Sequence, residues 1–113
     1  MDRVELEEAV RRARDLVTDL RHEAGAIAES TAAGPDDEHD VEGSSIGFER
    51  RRVAALLSQV EASLLGLEAA LARQLSGEYG ICGSCHKTID PERLAALPTA
   101  ELCIDCARSR PRA

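Results

Sequence analysis

The chain has almost no aromatic residues. Phe48 and Tyr79 are the only two among 113 residues, and tryptophan is absent. Because aromatic side chains supply much of the buried area of a compact core, this shortage argues against a conventional globule. The apolar residues are mostly alanine, leucine and valine, interspersed with glutamate and arginine. That composition is typical of long amphipathic helices, whose narrow apolar seams need little bulk.

An excess of basic residues and a long apolar run are also missing. The formal net charge is −7, which argues against binding to a nucleic-acid backbone, and we expect no direct sequence-specific nucleic-acid binding. The N-terminus is charged from its second residue and lacks the apolar segment of a secretory signal. No apolar run approaches the ~20 residues that a membrane span needs. We therefore expect a cytoplasmic protein without a membrane partner.

Two stretches of the chain place apolar residues at alternating steps of four and three. This spacing is the heptad pattern of a coiled coil, and it predicts helices over residues 3–31 and 46–76. The first seam contains Leu6, Val10, Ala13, Val17, Leu20, Ala24 and Ile27. The second seam contains Val53, Leu57, Val60, Leu64, Leu67 and Leu71, with Ile46 in phase before them.

The predicted helix ends carry capping residues. Asp2 and Glu5 fit a reciprocal cap at the start of the first helix, and Ser44 or Ser45 fits a cap for the second. Gly77 stands where a glycine would end the second helix. Because the linker is short, we predict an antiparallel helical hairpin over residues 1–77, with a tip loop at residues 34–45. Two helices in a small bundle or a homodimer are the alternative.

All four cysteines follow the hairpin, at Cys82, Cys85, Cys103 and Cys106. Two C-x-x-C turns separated by 15–20 residues have the spacing of a four-thiolate zinc site. We predict one structural Zn²⁺ in a small module over residues 78–113, which ends in a basic tail. The fold class is therefore mainly α, a coiled-coil hairpin followed by a four-cysteine zinc finger.

The pentapeptide CGSCH at residues 82–86 also fits c-type haem attachment or a redox dithiol. Haem attachment leaves Cys103 and Cys106 unexplained, and a thioredoxin-like dithiol requires a βαβ unit that the sequence does not predict. We therefore favour zinc and expect His86 to be exposed or to lie just outside the coordination sphere. Oxidation of zinc thiolates remains open as a side reaction.

The predicted tip loop concentrates acidic residues. Residues 34–45 contain five acids and no base. Such a cluster favours a cationic partner, either a metal ion such as hydrated Mg²⁺ or a basic protein surface, unless it is simply a solvated loop. The five acids are Asp36, Asp37, Glu38, Asp40 and Glu42.

Residues 77–107 resemble the DksA/TraR family of bacterial transcription regulators. The motifs G-E-Y-G-x-C-x-x-C, I-x-x-x-R-L-x-A-x-P and L-C-x-x-C-A appear there in order. Members of that family bind RNA polymerase and insert the hairpin into its secondary channel, and some act together with ppGpp. The resemblance implies that Asp37 and Asp40 approach the catalytic centre of the polymerase. Glu42 stands where the family tip carries alanine.

Three consecutive arginines, Arg50, Arg51 and Arg52, follow the tip. They form either a solvated face or contacts to an acidic polymerase surface. The sequence contains no nucleophile–base pair and no phosphate-binding glycine loop, so we expect a monomeric regulator of transcription initiation and not an enzyme. The rival hypothesis is a zinc-stabilised adaptor whose coiled coil pairs with another protein.

Overall fold

The computed structural model describes residues 1–33 and 41–110 of the chain. Two long helices come first, α1 (Arg3–Ala33) and α2 (Val41–Ser76). Two short helices follow, α3 (Pro91–Ala96) and α4 (Ile104–Ser109). Within the described ranges the extended structure is limited to an isolated antiparallel bridge between Ile81 and Thr88. The predicted fold class is confirmed.

Helix α1 begins at the predicted cap. The backbone N–H of Glu5 donates to Asp2 Oδ1 at 2.8 Å, and the backbone N–H of Asp2 donates to Glu5 Oε1 at 3.1 Å. This reciprocal pair satisfies two of the amide groups that a helix start leaves without partners. The heptad positions of α1 are shielded from solvent. Among its described side chains the buried ones all belong to the first predicted seam: Leu6, Val10, Val17 and Leu20.

Helix α2 begins earlier than the sequence predicted. Its first residue is Val41, so neither Ser44 nor Ser45 caps it. The predicted tip loop 34–45 is therefore too long, because residues 41–45 are helical. Val53 in the second seam is fully buried, and the small Ala70, which lies off the predicted seam, is buried as well.

The end of α2 is a Schellman motif. Gly77 has a φ of +80°, a conformation that side chains with a Cβ rarely adopt. Its N–H donates to the carbonyl oxygen of Gln74 at 3.2 Å, and the N–H of Glu78 donates to that of Arg73 at 2.8 Å. These are the two hydrogen bonds that define the motif. The predicted role of Gly77 is confirmed.

The chain divides into two compact units. The unit Arg12–Leu64 holds the middle of the hairpin. In it, Arg21 of α1 pairs with Glu61 of α2 at 2.8 Å, and Arg52 of α2 pairs with Glu23 of α1 at 3.4 Å. The later residue of α1 thus pairs with the earlier residue of α2, so the two helices run antiparallel. The predicted hairpin is thereby confirmed.

The second unit combines Met1–Arg11 with Leu65–Ala113. It contains both ends of the hairpin sequence together with the cysteine-rich module. The sequence placed a domain boundary between residues 77 and 78, and that boundary stays a prediction.

One stretch of α2 is more apolar than the sequence pattern alone suggested. By length and composition alone the segment Ser45–Ser76 could cross a membrane, since an 18-residue window within it has a mean hydropathy of 1.3. Those two properties are weak evidence of a span, because a helix that supplies one side of a hairpin seam shares them. We assign the segment to the hairpin.

The two aromatic residues have different environments. The side chain of Phe48 is 63% exposed on α2, so it contributes little to the packing of the hairpin. Tyr79 is partly buried, and its hydroxyl donates to the carbonyl oxygen of Pro98 at 2.9 Å. Burial raises the pKa of Tyr79, which keeps the phenol protonated as a donor. Tyr79 therefore fixes a loop in addition to packing.

Candidate metal centre

The four cysteine sulfurs converge on one point. The Sγ atoms of Cys82, Cys85, Cys103 and Cys106 all lie within 4.8 Å of one another, and those of Cys85 and Cys103 are 3.8 Å apart. A zinc–sulfur bond of ~2.3 Å places the sulfurs of a regular tetrahedron about 3.8 Å apart. The donor set, four thiols in a closed cluster, therefore fits Zn²⁺ in both chemistry and spacing.

The first pair of cysteines lies on a tight turn. The N–H of Cys82 donates to the carbonyl oxygen of Lys87 at 2.8 Å, and the N–H of His86 donates back to Cys82 at 3.0 Å. Two further backbone amides, those of Ser84 and Cys85, point at Cys82 Sγ from 3.4 and 3.5 Å. Amides aimed at a sulfur stabilise its thiolate form.

The unusual backbone position in this turn is His86. Its φ is +63°, which is uncommon for a residue with a side chain. Of the two glycines near this turn, Gly80 has a positive φ of +82° and Gly83 does not. His86 is exposed and does not belong to the sulfur cluster, as the sequence predicted.

The second pair of cysteines lies at the start of α4. Cys103 precedes the helix with an extended backbone, and Cys106 follows in its first turn. The carbonyl oxygen of Cys103 accepts the N–H of Ala107 at 2.9 Å. One main-chain hydrogen bond of 2.8 Å, from Gly83 N–H to the carbonyl oxygen of Glu101, joins the two cysteine-bearing segments.

The pKa values of two thiols, Cys82 and Cys106, are shifted in opposite directions. Hydrogen bonds from the backbone amides of Cys85 and Cys103 lower the pKa of Cys82 to about 5. Hydrogen bonds to the sulfurs of Cys103 and Cys82 raise the pKa of Cys106 to about 12. The cluster therefore accommodates a first negative charge easily and resists the last one. A divalent cation removes that conflict, because it binds all four sulfurs as thiolates.

The centre holds one structural zinc ion. Four protein ligands complete a tetrahedron and leave no position for water or substrate. The apolar core around it is small: in the described part of residues 78–113, the buried residues are Cys82, Ile89 and Ala100. Metal binding consequently supplies much of the folding free energy of this module.

Several side chains that anchor the module were not predicted from the sequence. Arg73, near the end of α2, pairs with Glu101 at 3.0 Å and donates to the carbonyl oxygen of Thr99 at 3.4 Å. The side chain of Thr99 packs against Gly66 of α2. The Nε of Arg93 donates to the carbonyl oxygen of Leu102 at 3.0 Å.

The predicted tip residues are divided by the limits of the described chain. Asp36, Asp37, Glu38 and Asp40 lie outside the described residues, and Glu42 belongs to the first turn of α2.

The three predicted arginines lie on α2. Arg50, Arg51 and Arg52 are all exposed. Arg52 pairs with Glu49 as well as Glu23, and the hydrogen bond to Arg52 lowers the pKa of Glu49. For Arg52, the structure therefore fits the first interpretation, a solvated face on which the arginine pairs with nearby glutamates.

Comparison with known proteins identifies the C-terminal module. Residues 77–112 match the family described as prokaryotic dksA/traR C4-type zinc finger. The RNA polymerase-binding transcription factor DksA of Haemophilus influenzae is 39% identical over 57 residues, which cover 50% of this chain and 34% of that protein. The protein of the same name from Escherichia coli K12 is also 39% identical over 57 residues, covering 50% of this chain and 33% of that protein. The chain thus spans about a third of the length of these relatives.

The similarity in fold extends further than the similarity in sequence. The structure of transcription factor DksA2 from Pseudomonas aeruginosa superposes with a TM-score of 0.75. The match covers 94% of this chain and 77% of that one, at 24% sequence identity. Hairpin and module together therefore follow a fold already observed in a solved structure.

Proposed function

We propose that this chain, which belongs to the DksA/TraR family through its C4-type zinc finger, binds RNA polymerase directly and modulates transcription initiation. The observation that carries the proposal is the combination of this zinc finger with a helical hairpin of the DksA2 fold. Relatives that share the zinc finger are named RNA polymerase-binding transcription factors. The proposed role is non-enzymatic, in the cytoplasm and as a monomer.

In this proposal the hairpin enters the secondary channel of the polymerase with its acidic connecting segment leading. The connection between Ala33 and Val41 contains only seven residues, and four of them are the acids Asp36, Asp37, Glu38 and Asp40. Carboxylates are the preferred ligands of Mg²⁺ and attract basic side chains. A polymerase catalytic centre offers both, so Asp37 and Asp40 are the residues proposed to act there. Co-action of ppGpp, which some members of the family use, is not supported by the sequence of this chain.

The exposed arginines supply a second set of proposed contacts. Arg50, Arg51 and Arg52 are exposed on α2, shortly after the acidic connecting segment. Basic side chains in this position suit an acidic strip on the polymerase. Surface charges of this kind govern the association rate and its salt dependence more than the final affinity.

The test compares binding and initiation in one set of variants. Purified wild-type chain is mixed with RNA polymerase, and affinity and initial transcript formation are measured. Asp37→Asn/Asp40→Asn should retain binding and lose the effect on initiation. The matched control is Asp15→Asn/Asp19→Asn, which removes the same charge from exposed positions of α1. Absence of any binding by the wild type refutes the proposal, and an equal effect of both double variants refutes the role of the tip.

One observation favours the adaptor as a second candidate. Phe48 and Leu65 on α2 are 63% and 69% exposed, and each of these apolar side chains would suit packing against a helical partner protein. A partner other than polymerase that cross-links near these residues, in the absence of polymerase binding, would support the adaptor. Haem attachment and dithiol exchange each use only the first C-x-x-C, whereas the structure brings all four cysteines together.

A further inference from the structure

We propose that Arg73 is a positioning residue for the zinc centre, acting through Glu101 on the segment that leads into Cys103. Arg73 belongs to α2 and is separated from the nearest cysteine in sequence by a helix end and a turn. Its side chain is only 19% exposed, although it carries a full charge. Such protection of an arginine indicates a fixed geometry, since a flexible surface arginine stays solvated.

Residues 98–102, here called the strap, are held almost entirely by their main chain. Four of its five carbonyl oxygens accept hydrogen bonds. Tyr79 donates to Pro98, Arg73 to Thr99, Gly83 to Glu101 and Arg93 to Leu102. Their distances lie between 2.8 and 3.4 Å. The strap ends at Leu102, so the backbone that it fixes is the one that presents Cys103.

Glu101 connects α2 to the first cysteine turn. Its carboxylate pairs with Arg73 Nη1 at 3.0 Å, and its carbonyl oxygen accepts the N–H of Gly83 at 2.8 Å. Gly83 is the neighbour of Cys82, the one cysteine that is fully buried. A continuous path therefore runs from Arg73 through Glu101 and Gly83 to a metal ligand on one side, and along the strap to Cys103 on the other.

Two further features of α2 support the strap. A Cβ added at Gly66 would lie 3.6 Å from Thr99 Cγ2, so the strap packs directly on the helix backbone at this glycine. Arg73 also donates from Nη2 to the carbonyl oxygen of Thr99 at 3.4 Å. Helix α2 thus helps to set the distance between the two cysteine pairs in the folded module.

The physical consequence is a contribution to metal affinity. Because zinc binding and folding of the module are coupled, contacts that form only in the folded module add to the apparent zinc affinity. Groups just outside a metal's ligands typically change affinity by about 10- to 100-fold when they are removed. We expect Arg73→Gln to weaken zinc binding by about tenfold, because the main-chain contacts from Tyr79 and Arg93 remain.

The experiment measures zinc affinity of the full chain by competition with a chromogenic chelator under reducing conditions. Arg73→Gln and Glu101→Gln are each expected to weaken zinc binding by about tenfold, and the double variant by no more than either single one. Arg52→Gln is the matched control, because it also removes an arginine with a carboxylate partner, but in the unit without cysteines. Its zinc affinity should equal that of the wild type.

Cobalt spectra and thermal unfolding separate positioning from general stability. The Co²⁺-loaded variants should keep the tetrahedral tetrathiolate spectrum, since all ligands are present. Zinc affinity of Arg73→Gln within twofold of the wild type, with only a lower melting temperature, would overturn the proposal. Additive losses in the double variant would do so as well. If Arg73→Gln does not fold, Glu101→Gln tests the same pair from its 62% exposed side.

Discussion

Removal of zinc should unfold the cysteine module and leave the long helices intact. The module has a small apolar core and depends on the metal for its folding free energy. The start of α1 and the end of α2 do not depend on the metal. The reciprocal cap of Asp2 with Glu5 and the Schellman motif at Gly77 consist of hydrogen bonds that need no metal.

The expected magnitude follows from the helix lengths. Helices α3 and α4 contain six residues each, against 31 and 36 in α1 and α2. Loss of the two short helices alone removes about 15% of the helical signal in far-UV circular dichroism. If the whole unit that contains the module unfolded, residues 3–11 and 65–76 would be lost too, and the decrease would reach about 40%.

The assay is a chelator titration followed by circular dichroism, with readdition of zinc to show reversibility. The Cys103→Ser/Cys106→Ser variant should give the same spectrum without chelator. A decrease near 40% would refute the independence of the long helices. An unchanged spectrum would show that the module folds without metal and would refute its dependence on zinc.

Three further predictions concern pH, the seam and the helix end. The apparent zinc association constant should rise at least about tenfold per pH unit between about pH 6 and 8, because zinc must displace the proton that Cys106 retains through its raised pKa. Cys82, with its lowered pKa, is already a thiolate in this range. Chelator competition across the range measures the slope, and a flat profile contradicts the prediction. Leu6→Ala should lower the free energy of unfolding of the zinc-loaded chain by about 2–5 kcal/mol, since Leu6 is fully buried, whereas Leu75→Ala, at a position 61% exposed, should cost less than about 1 kcal/mol; equal costs in urea unfolding would show that the seam is misassigned. Gly77→Ala should cost about 1 kcal/mol because of the positive φ, and no loss in the same urea assay would contradict the role of the Schellman motif.

The helices and the metal site were predictable because their signals are local or have a fixed period. Heptad spacing determines which face of each helix is buried, and C-x-x-C turns bring two sulfurs together wherever they occur. The start of α2 was missed because serine is a preferred N-cap residue and Ser44 and Ser45 attracted that assignment, whereas both lie inside the helix. The positive φ of His86 was missed because glycine is the residue normally expected in that conformation.

The anchoring of the module was not predictable from sequence for a different reason. Arg73 and Glu101 are 28 residues apart and belong to different elements, so no period or motif relates them. An arginine near the end of a helix is typical of a favourable dipole interaction, and that interpretation predicts an exposed side chain. Only the path of the strap shows that this guanidinium is the partner of Glu101. Likewise, exposure of Phe48 depends on which side of α2 faces α1, and a lone aromatic residue does not reveal that.

The contacts within the cysteine module are mostly between main-chain atoms, and this affects how the protein can change. Hydrogen bonds at Cys82, Gly83, His86 and Lys87 use amides and carbonyl oxygens, which every residue except proline provides in full. Within the turn from Cys82 to Lys87, side chains other than the two cysteine ligands can therefore be exchanged without loss of these hydrogen bonds. Their surface is available for adjustment to different binding partners, while the four sulfurs and the backbone path keep the module's shape.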